Sequence, residues 1–231
     1  MITPVKNPWN GIDWNNTIAS NDRAFFNQHF GSPNAYAAKV NVKNPKAKLD
    51  FNCLPEPFSG DITSNVYCLN MNPGNPDPNF VNDPCFEILT QQNLAHNWQG
   101  LFWTDRIKNV KGDIHDGVDW LNKKMAGLVN NLGRTPKMFF IDFFPYHSAH
   151  GFAFPTNLPT NDYRDYLVMK AMDEGKIIIV MRQKKRWFNA IQGLDTYPRL
   201  ITLKCPAGGW LSNGNFIYGP GVTYNDLLKE L

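Results

Sequence analysis

Four short apolar runs constrain the fold of this chain more than any other feature. They are "NVYCLNM" (65–71), "KMFFIDFF" (137–144), "KIIIVMR" (176–182) and "RLITLKC" (199–205). None alternates strictly between polar and apolar residues, which is the pattern of a strand covered on both faces. Segments of helical period lie between them. In "DGVDWLNKKMAGLVNNLG" the residues Trp120, Leu121, Met125, Leu128, Val129 and Leu132 recur at spacings of three and four, and Gly133 closes the helix. "NDYRDYLVMKAMDEG" (161–175) opens on a capping Asn or Asp and ends at Gly175. "KKRWFNAIQGL" (184–194) is shorter, "TYNDLLKEL" forms a terminal helix, and "NDRAFFNQHF" is the one helix expected upstream. Strand–helix alternation predicts an α/β fold, a three-layer α/β/α sandwich with a mainly parallel four-stranded central sheet.

A length of 231 residues, 42% of them hydrophobic, suits one domain with a substantial core. We expect a single unit over 1–231, with a polar, Pro- and Asn-rich extension (1–64) packed on a core (65–231). No run approaches the roughly 18 apolar residues of a membrane span. The opening "MITPVKNPWNG" has no apolar signal-peptide region, so a cytoplasmic monomer with no membrane partner is expected. Cys53, Cys68, Cys85 and Cys205 form no C-x-x-C pair. They read as reduced thiols, and neither a metal nor another cofactor is expected. A net charge of +3 is compatible with nucleic acid without requiring it.

Ligands of open parallel sheets sit at the carboxyl ends of the strands. The four runs here lead into "NPGNPD", "PYHSAHG", "RQKKRW" and "PAGGWLSNGN", all rich in polar, basic, aromatic or glycine residues. The first of these completes "NMNPG" (70–74). That motif resembles G-M-N-P-G of the single-strand-selective monofunctional uracil-DNA glycosylases and G-I-N-P-G of the mismatch-specific uracil/thymine glycosylases. The resemblance extends over about 66–216 and implies the fold of the uracil-DNA glycosylase superfamily. It also implies a monofunctional enzyme that flips a base out of DNA and hydrolyses its N-glycosidic bond without a cofactor. Asn72 would orient the attacking water, and Met71 and Gly74 beside it would contact the flipped base. Orienting a weak nucleophile can suffice because the bond breaks largely dissociatively.

Family members stack an aromatic on the base about 13 residues after that Asn. Phe86 lies fourteen residues on, with Phe80 the nearer alternative, and Phe86 also reads as a plain core residue. On the second strand the single-strand-selective enzymes carry N-x-C-P, whose Asn reads uracil. This chain has "DFFP", with Asp142 in the Asn position and Pro145 aligned. A protonated carboxyl donates once and accepts once, matching the ring nitrogen and exocyclic amine of cytosine. Asp142 also reads as a structural carboxylate that caps a loop or pairs with Arg182.

The family's H-P-S-P motif is replaced by "CPAGG", with Cys205 where the histidine stands and Pro206 matching. His147 and His150 are the candidates for the missing charge-stabilising role, His147 first. In the loop after Pro206, Gly208 and Gly209 allow close backbone approach and Trp210 or Leu211 can wedge into the base stack. Ser212, Asn213 and Asn215 can bind phosphate. Arg182, Lys184, Lys185 and Arg186 either hold the DNA backbone or form a solvated helix face. The aromatic stretch 93–115 reads as a lid, a substrate wall or an insertion without a role in chemistry. The leading expectation is excision of a modified or damaged cytosine-type base, in repair or in defence against phage with modified DNA. Uracil or thymine-mismatch excision, a non-catalytic DNA-binding relative, and an enzyme acting on a nucleotide or nucleoside stay open.

Overall fold

The computed structural model describes residues 3–75, 84–97 and 116–231. Six strands form one open sheet: β1 (Phe58–Gly60), β2 (Val66–Leu69), β3 (Phe139–Ile141), β4 (Ile177–Val180), β5 (Leu200–Leu203) and β6 (Phe216–Tyr218). Their order is β1-β3-β2-β4-β5-β6. The middle four are parallel, with Cys68 beside Phe140 and Ile179, and Ile179 beside Ile201. These are the four apolar runs, trimmed by one to three residues at each end. Every residue of β2, β3 and β4 is buried, as unbroken apolar runs require.

The sheet departs from the four-stranded expectation at both edges. β1 runs antiparallel to β3, and β6 antiparallel to β5, so the sheet is mixed. Both edge strands have three residues, too short for a period to register. Helix α3 (Pro84–Leu94) guards the outer edge of β1. The Asn93 carboxamide donates to Phe58 O (2.8 Å) and accepts from Gly60 N (3.2 Å), so it pairs with the edge as a further strand would.

Two helices fill the N-terminal part, α1 (Ser20–Phe30) and α2 (Pro33–Lys43). α2 is a second helix where one is expected, yet its start is written locally: the Ser32 side chain accepts from Ala35 N, and Pro33 takes the first helical position. Then come α4 (Asp116–Leu132), α5 (Asn161–Asp173), α6 (Lys184–Ala190) and α7 (Tyr224–Glu230). α6 stops short of the expected 194 because Ile191 is extended and Gly193 turns the chain at φ 78°. α7 opens on a capping box between Thr223 and Asp226.

One hydrophobic cluster holds the molecule together. It includes Trp9, Phe26, Tyr36, Phe51 and Leu54 as well as the strands. Among the described residues, no helix is long and apolar enough to cross a membrane. Phe80 and residues 98–115 of the expected aromatic excursion lie outside the described residues.

Candidate functional site at the carboxyl ends of the parallel strands

The parallel strands all end at one side of the sheet. The antiparallel edges bring the start of β6 and the approach to β1 to the same side. The β2–β3 ladder continues past the strands, with Asn70 N donating to Ile141 O (2.8 Å) and Phe144 N to Met71 O (2.9 Å). "NMNPG" is therefore laid against "DFFPYHS". Met71 is buried, its side chain in the core rather than in a cleft, while Gly74 is exposed.

Asn72 is tightly anchored. Its Nδ2 donates to Ser148 O (2.8 Å), Ser148 Oγ (3.0 Å) and Pro73 O (2.8 Å). With the nitrogen so committed, the half-buried carboxamide presents Oδ1, which accepts no hydrogen bond among the described residues. His147 is fixed from both sides: Nδ1 lies 3.0 Å from Gly74 O, and Nε2 3.0 Å from Leu54 O. Its ring is buried, and both nitrogens face backbone carbonyls. That is the place of a residue that positions the Asn72–Gly74 turn, rather than of one aimed at a leaving group. His150 is exposed, and its carbonyl accepts from Ser148 Oγ at 3.3 Å.

Beside this turn lies a half-buried polar set. Asp142 follows β3, and its Oδ1 is shielded from water with no hydrogen-bond partner among the described residues. Burial pushes its carboxyl well above the ordinary carboxylate range. The nearby Glu56 adds to the rise, while the Asn70 side chain and Arg182 oppose it. The Asp142 carboxyl thereby holds its proton to higher pH than a free carboxyl does. Arg182 also has a shielded, unpartnered atom, Nε. Two unpaired polar atoms within one electrostatically coupled group are costly in a closed core and natural in a site awaiting a polar ligand.

The floor beneath is rigid. Trp187 Nε1 donates to Asn70 O at 2.9 Å and packs edge-on to Phe143 with ring centroids 5.1 Å apart. The buried Arg164 places its guanidinium 4.1 Å from the Phe143 ring centroid, donates to Phe143 O (2.9 Å) and pairs with Asp165 (2.6 Å).

Beyond Arg182 a surface cleft opens between the ends of β4 and β5. It is lined by Arg182, Lys184, Lys185, Lys204 and Pro206, with no carboxylate in its wall among the described residues. Lys124 on α4, absent from the sequence-based candidates, extends this basic region. Its ammonium donates to Gly208 O and lies 5.9 Å from the Trp120 ring and 5.8 Å from the Trp210 ring. Burial, and then Arg182 and Lys123, press its pKa down. The spacing of Trp120 and Lys124, one helical turn apart, was the available signal.

The loop after β5 is built by its own residues. Asn215 is buried; its Oδ1 accepts from Cys205 N (2.8 Å) and its Nδ2 donates to Trp210 O (2.8 Å). The expectation that it binds phosphate gives way to a loop-closing role, because both ends of its amide are engaged. Ser212 packs on Gly127 of α4, where an added Cβ would come within 2.9 Å of the Ser212 Cβ. Asn213 is exposed and accepts from Tyr218 Oη at 2.7 Å. Trp210 stands 53% exposed with its ring over Gly208, and Cys205 is exposed. Phe86, on α3, is buried in the core cluster, the plainer of its two readings.

The structure thus gathers Asn70, Asn72, Asp142, His147 and Arg182 at one end of the sheet. Lys184, Lys185 and the Trp210 loop flank them. Among the described residues, no three His, Cys, Asp or Glu side chains are placed to hold a metal ion. Comparison with protein-family models, with curated proteins and with solved structures finds no match to this chain.

Proposed function

We propose that the chain is a monofunctional DNA glycosylase acting on a flipped base with a cytosine-type edge, a modified or damaged cytosine. The observation that carries this reading is Asn72, whose amide nitrogen is held by Ser148 and Pro73 while its oxygen is left as an acceptor at the carboxyl end of β2. A water donating to that oxygen is oriented toward the sugar C1′ as the C1′–N bond breaks. Its oxygen forms the new bond to C1′ and its surplus proton passes to solvent, while the electron pair of the old bond leaves with the base, which then takes up a proton. The protonated Asp142 carboxyl donates to the cytosine ring nitrogen, and its other oxygen accepts from the exocyclic amine. The cleft of Arg182, Lys184, Lys185 and Lys204 holds phosphates, and the exposed Trp210 fills the gap left in the stack.

The topology supports the three-layer arrangement that goes with this reading. The connection from β2 to β3 runs in one direction across the sheet, and those from β3 to β4 to β5 in the other. With the right-handed crossovers general to such connections, α4 would lie on one face and α5 and α6 on the opposite one.

The test is abasic-site formation on duplexes and single strands carrying uracil, a thymine mismatch, cytosine, and cytosines with bulky or oxidised 5-substituents. Cleavage confined to a modified cytosine supports the proposal. Preference for uracil over every cytosine derivative removes Asp142 from its role. One observation favours a second reading, a DNA-binding relative without excision. Cys205 occupies the position of the family histidine, and His147 has both ring nitrogens committed to backbone. Salt-sensitive DNA binding with no abasic product on any substrate would select that reading.

A further inference from the structure

A second concave surface lies away from the strand ends, between the N-terminal helices and the segment after Ser148. Its walls are Phe25, Phe30 and Tyr36 on one side and Phe152 and Phe154 on the other, and the groove has about 1110 Å³ of empty space, open solvent included. Phe25, Phe30 and Phe152 are half-buried, so ring surface remains accessible, while Tyr36 and Phe154 form the floor. Lys39 and Lys43, exposed and one turn apart on α2, stand on the rim. Among the described residues no acidic side chain lines the groove, and α2 carries none. The Lys39 ammonium lies 5.7 Å from the Phe30 ring centroid.

The groove is connected to the candidate site by structure on both flanks. Ser148, which anchors Asn72, precedes Phe152 by four residues, so the two lie within about 14 Å along the chain. Arg186 follows Lys184 and Lys185 of the basic cleft on α6. It donates to Phe152 O (3.1 Å) and sets its guanidinium 5.4 Å from the Phe154 ring centroid. Positive charge therefore continues from the cleft through Arg186 to Lys39 and Lys43.

We propose that this groove is a stacking platform for single-stranded nucleic acid flanking the nucleotide held at the strand ends. Accessible aromatic faces beside a row of cations, with no opposing carboxylate, are what unpaired bases and their phosphates require. An acidic peptide would meet the cations but leave the open faces of Phe25, Phe30 and Phe152 without flat partners, and a second copy of the chain would bring its own lysines against Lys39 and Lys43. The proposal rests on the reading of the chain as a DNA-binding protein and adds a strand preference to it.

Binding of a fluorescein-labelled twelve-nucleotide oligo(dT), and of a duplex of equal length, is measured by anisotropy over a range of salt. Lys39→Glu/Lys43→Glu lies at exposed positions and should fold as the parent does, checked by circular dichroism. It should weaken oligo(dT) binding at least tenfold and reduce the slope of log affinity against log salt by about 1.4, two phosphate contacts' worth. Phe152→Ala should weaken it about tenfold with the slope unchanged, the size of one lost stacking contact. The duplex should lose less than threefold in both, because paired bases cannot lie on the rings. Folded variants that bind oligo(dT) like the parent, while Lys184→Glu/Lys185→Glu loses affinity, would overturn the groove and leave the strand-end site standing. Equal losses on single strand and duplex would overturn the stacking role. Failure of the unaltered protein to bind either DNA would remove the glycosylase reading and this proposal together.

Discussion

Asn72 and Asp142 carry the chemistry proposed here, and each makes a separable prediction. In Asn72→Ala the water loses its acceptor, while the basic cleft is untouched. The single-turnover excision rate should fall at least a hundredfold, a loss of about 3 kcal/mol of transition-state stabilisation, with DNA affinity within threefold of the parent. A variant that excises at the parental rate would remove Asn72 from the mechanism. Asp142 predicts a pH dependence. Its folded-state pKa is raised by burial, so the folded protein keeps a proton that the unfolded chain releases above its ordinary value near 4. The stability it contributes is complete below that pH and declines as pH rises toward the folded pKa. Asp142→Asn does not titrate, so its stability relative to the parent should grow as pH rises above the ordinary carboxylate value near 4 in urea denaturation. A constant gap would mean that Asp142 is ionised in the fold. Both residues were legible in the sequence through "NMNPG" and "DFFP". The engagement of His147 with two carbonyls was not, because Leu54 is 93 residues away from it. Nor was the amide of Asn215, which closes its own loop through atoms that sequence spacing does not aim.

At the scale of elements, the parallel strands and most helices follow from periodicity, and the misses share a cause. β1 and β6 are three residues long, and each is defined by the partner it pairs with rather than by its own pattern. The end of α3 shows how such non-local support works. His96 takes a left-handed conformation, φ 57°, where glycine is usual. Its amide bonds Asn93 O, and Asn97 N bonds Gln92 O, the two bonds of a Schellman ending. The ring then stacks on Phe58 of β1, with centroids 4.3 Å apart, and meets Tyr163 Oη at 2.7 Å. Desolvation, and then the nearby Lys170, hold its pKa down at about 4. The unfolded chain therefore takes up this proton first. The stability from His96 is complete above pH 6.5 and is lost as pH falls toward 4. That amounts to on the order of 3 kcal/mol over the window. His96→Asn tolerates the same backbone conformation and does not titrate. Its stability at neutral pH should be lower for want of the stacked ring, but its profile between pH 6.5 and 4 should be flatter than the parent's. Parallel profiles would show that His96 is already charged in the fold.

The molecule as a whole joins its N-terminal segment to the sheet through contacts invisible to any local reading. Asp22, on α1, is completely buried, and its three hydrogen bonds all reach distant partners. Oδ2 accepts from Tyr146 Oη (2.8 Å) and Thr160 Oγ1 (2.8 Å), and Oδ1 from Thr160 N (3.0 Å). Around it the rings of Phe26, Phe51 and Tyr146 touch one another, with the Phe51 and Tyr146 centroids 4.9 Å apart. Phe26 and Phe51 lie in the segment the sequence presents as an extension, Tyr146 in the loop that carries His147 and Ser148. The N-terminal helices therefore brace the loop that anchors Asn72, and they should not unfold separately from the sheet. In urea, hydrogen-exchange protection in α1 and α2 should vanish at the same concentration as in β4, in a single transition. Asp22→Ala leaves buried donors on Tyr146 and Thr160 unpaired, and each such donor costs about 1–3 kcal/mol. The variant should shift both regions together to lower urea. It should also slow excision, because the loop holding Ser148 loses its brace. Protection lost in α1 and α2 well before β4, with excision unaffected by Asp22→Ala, would make the first 64 residues an appendage after all.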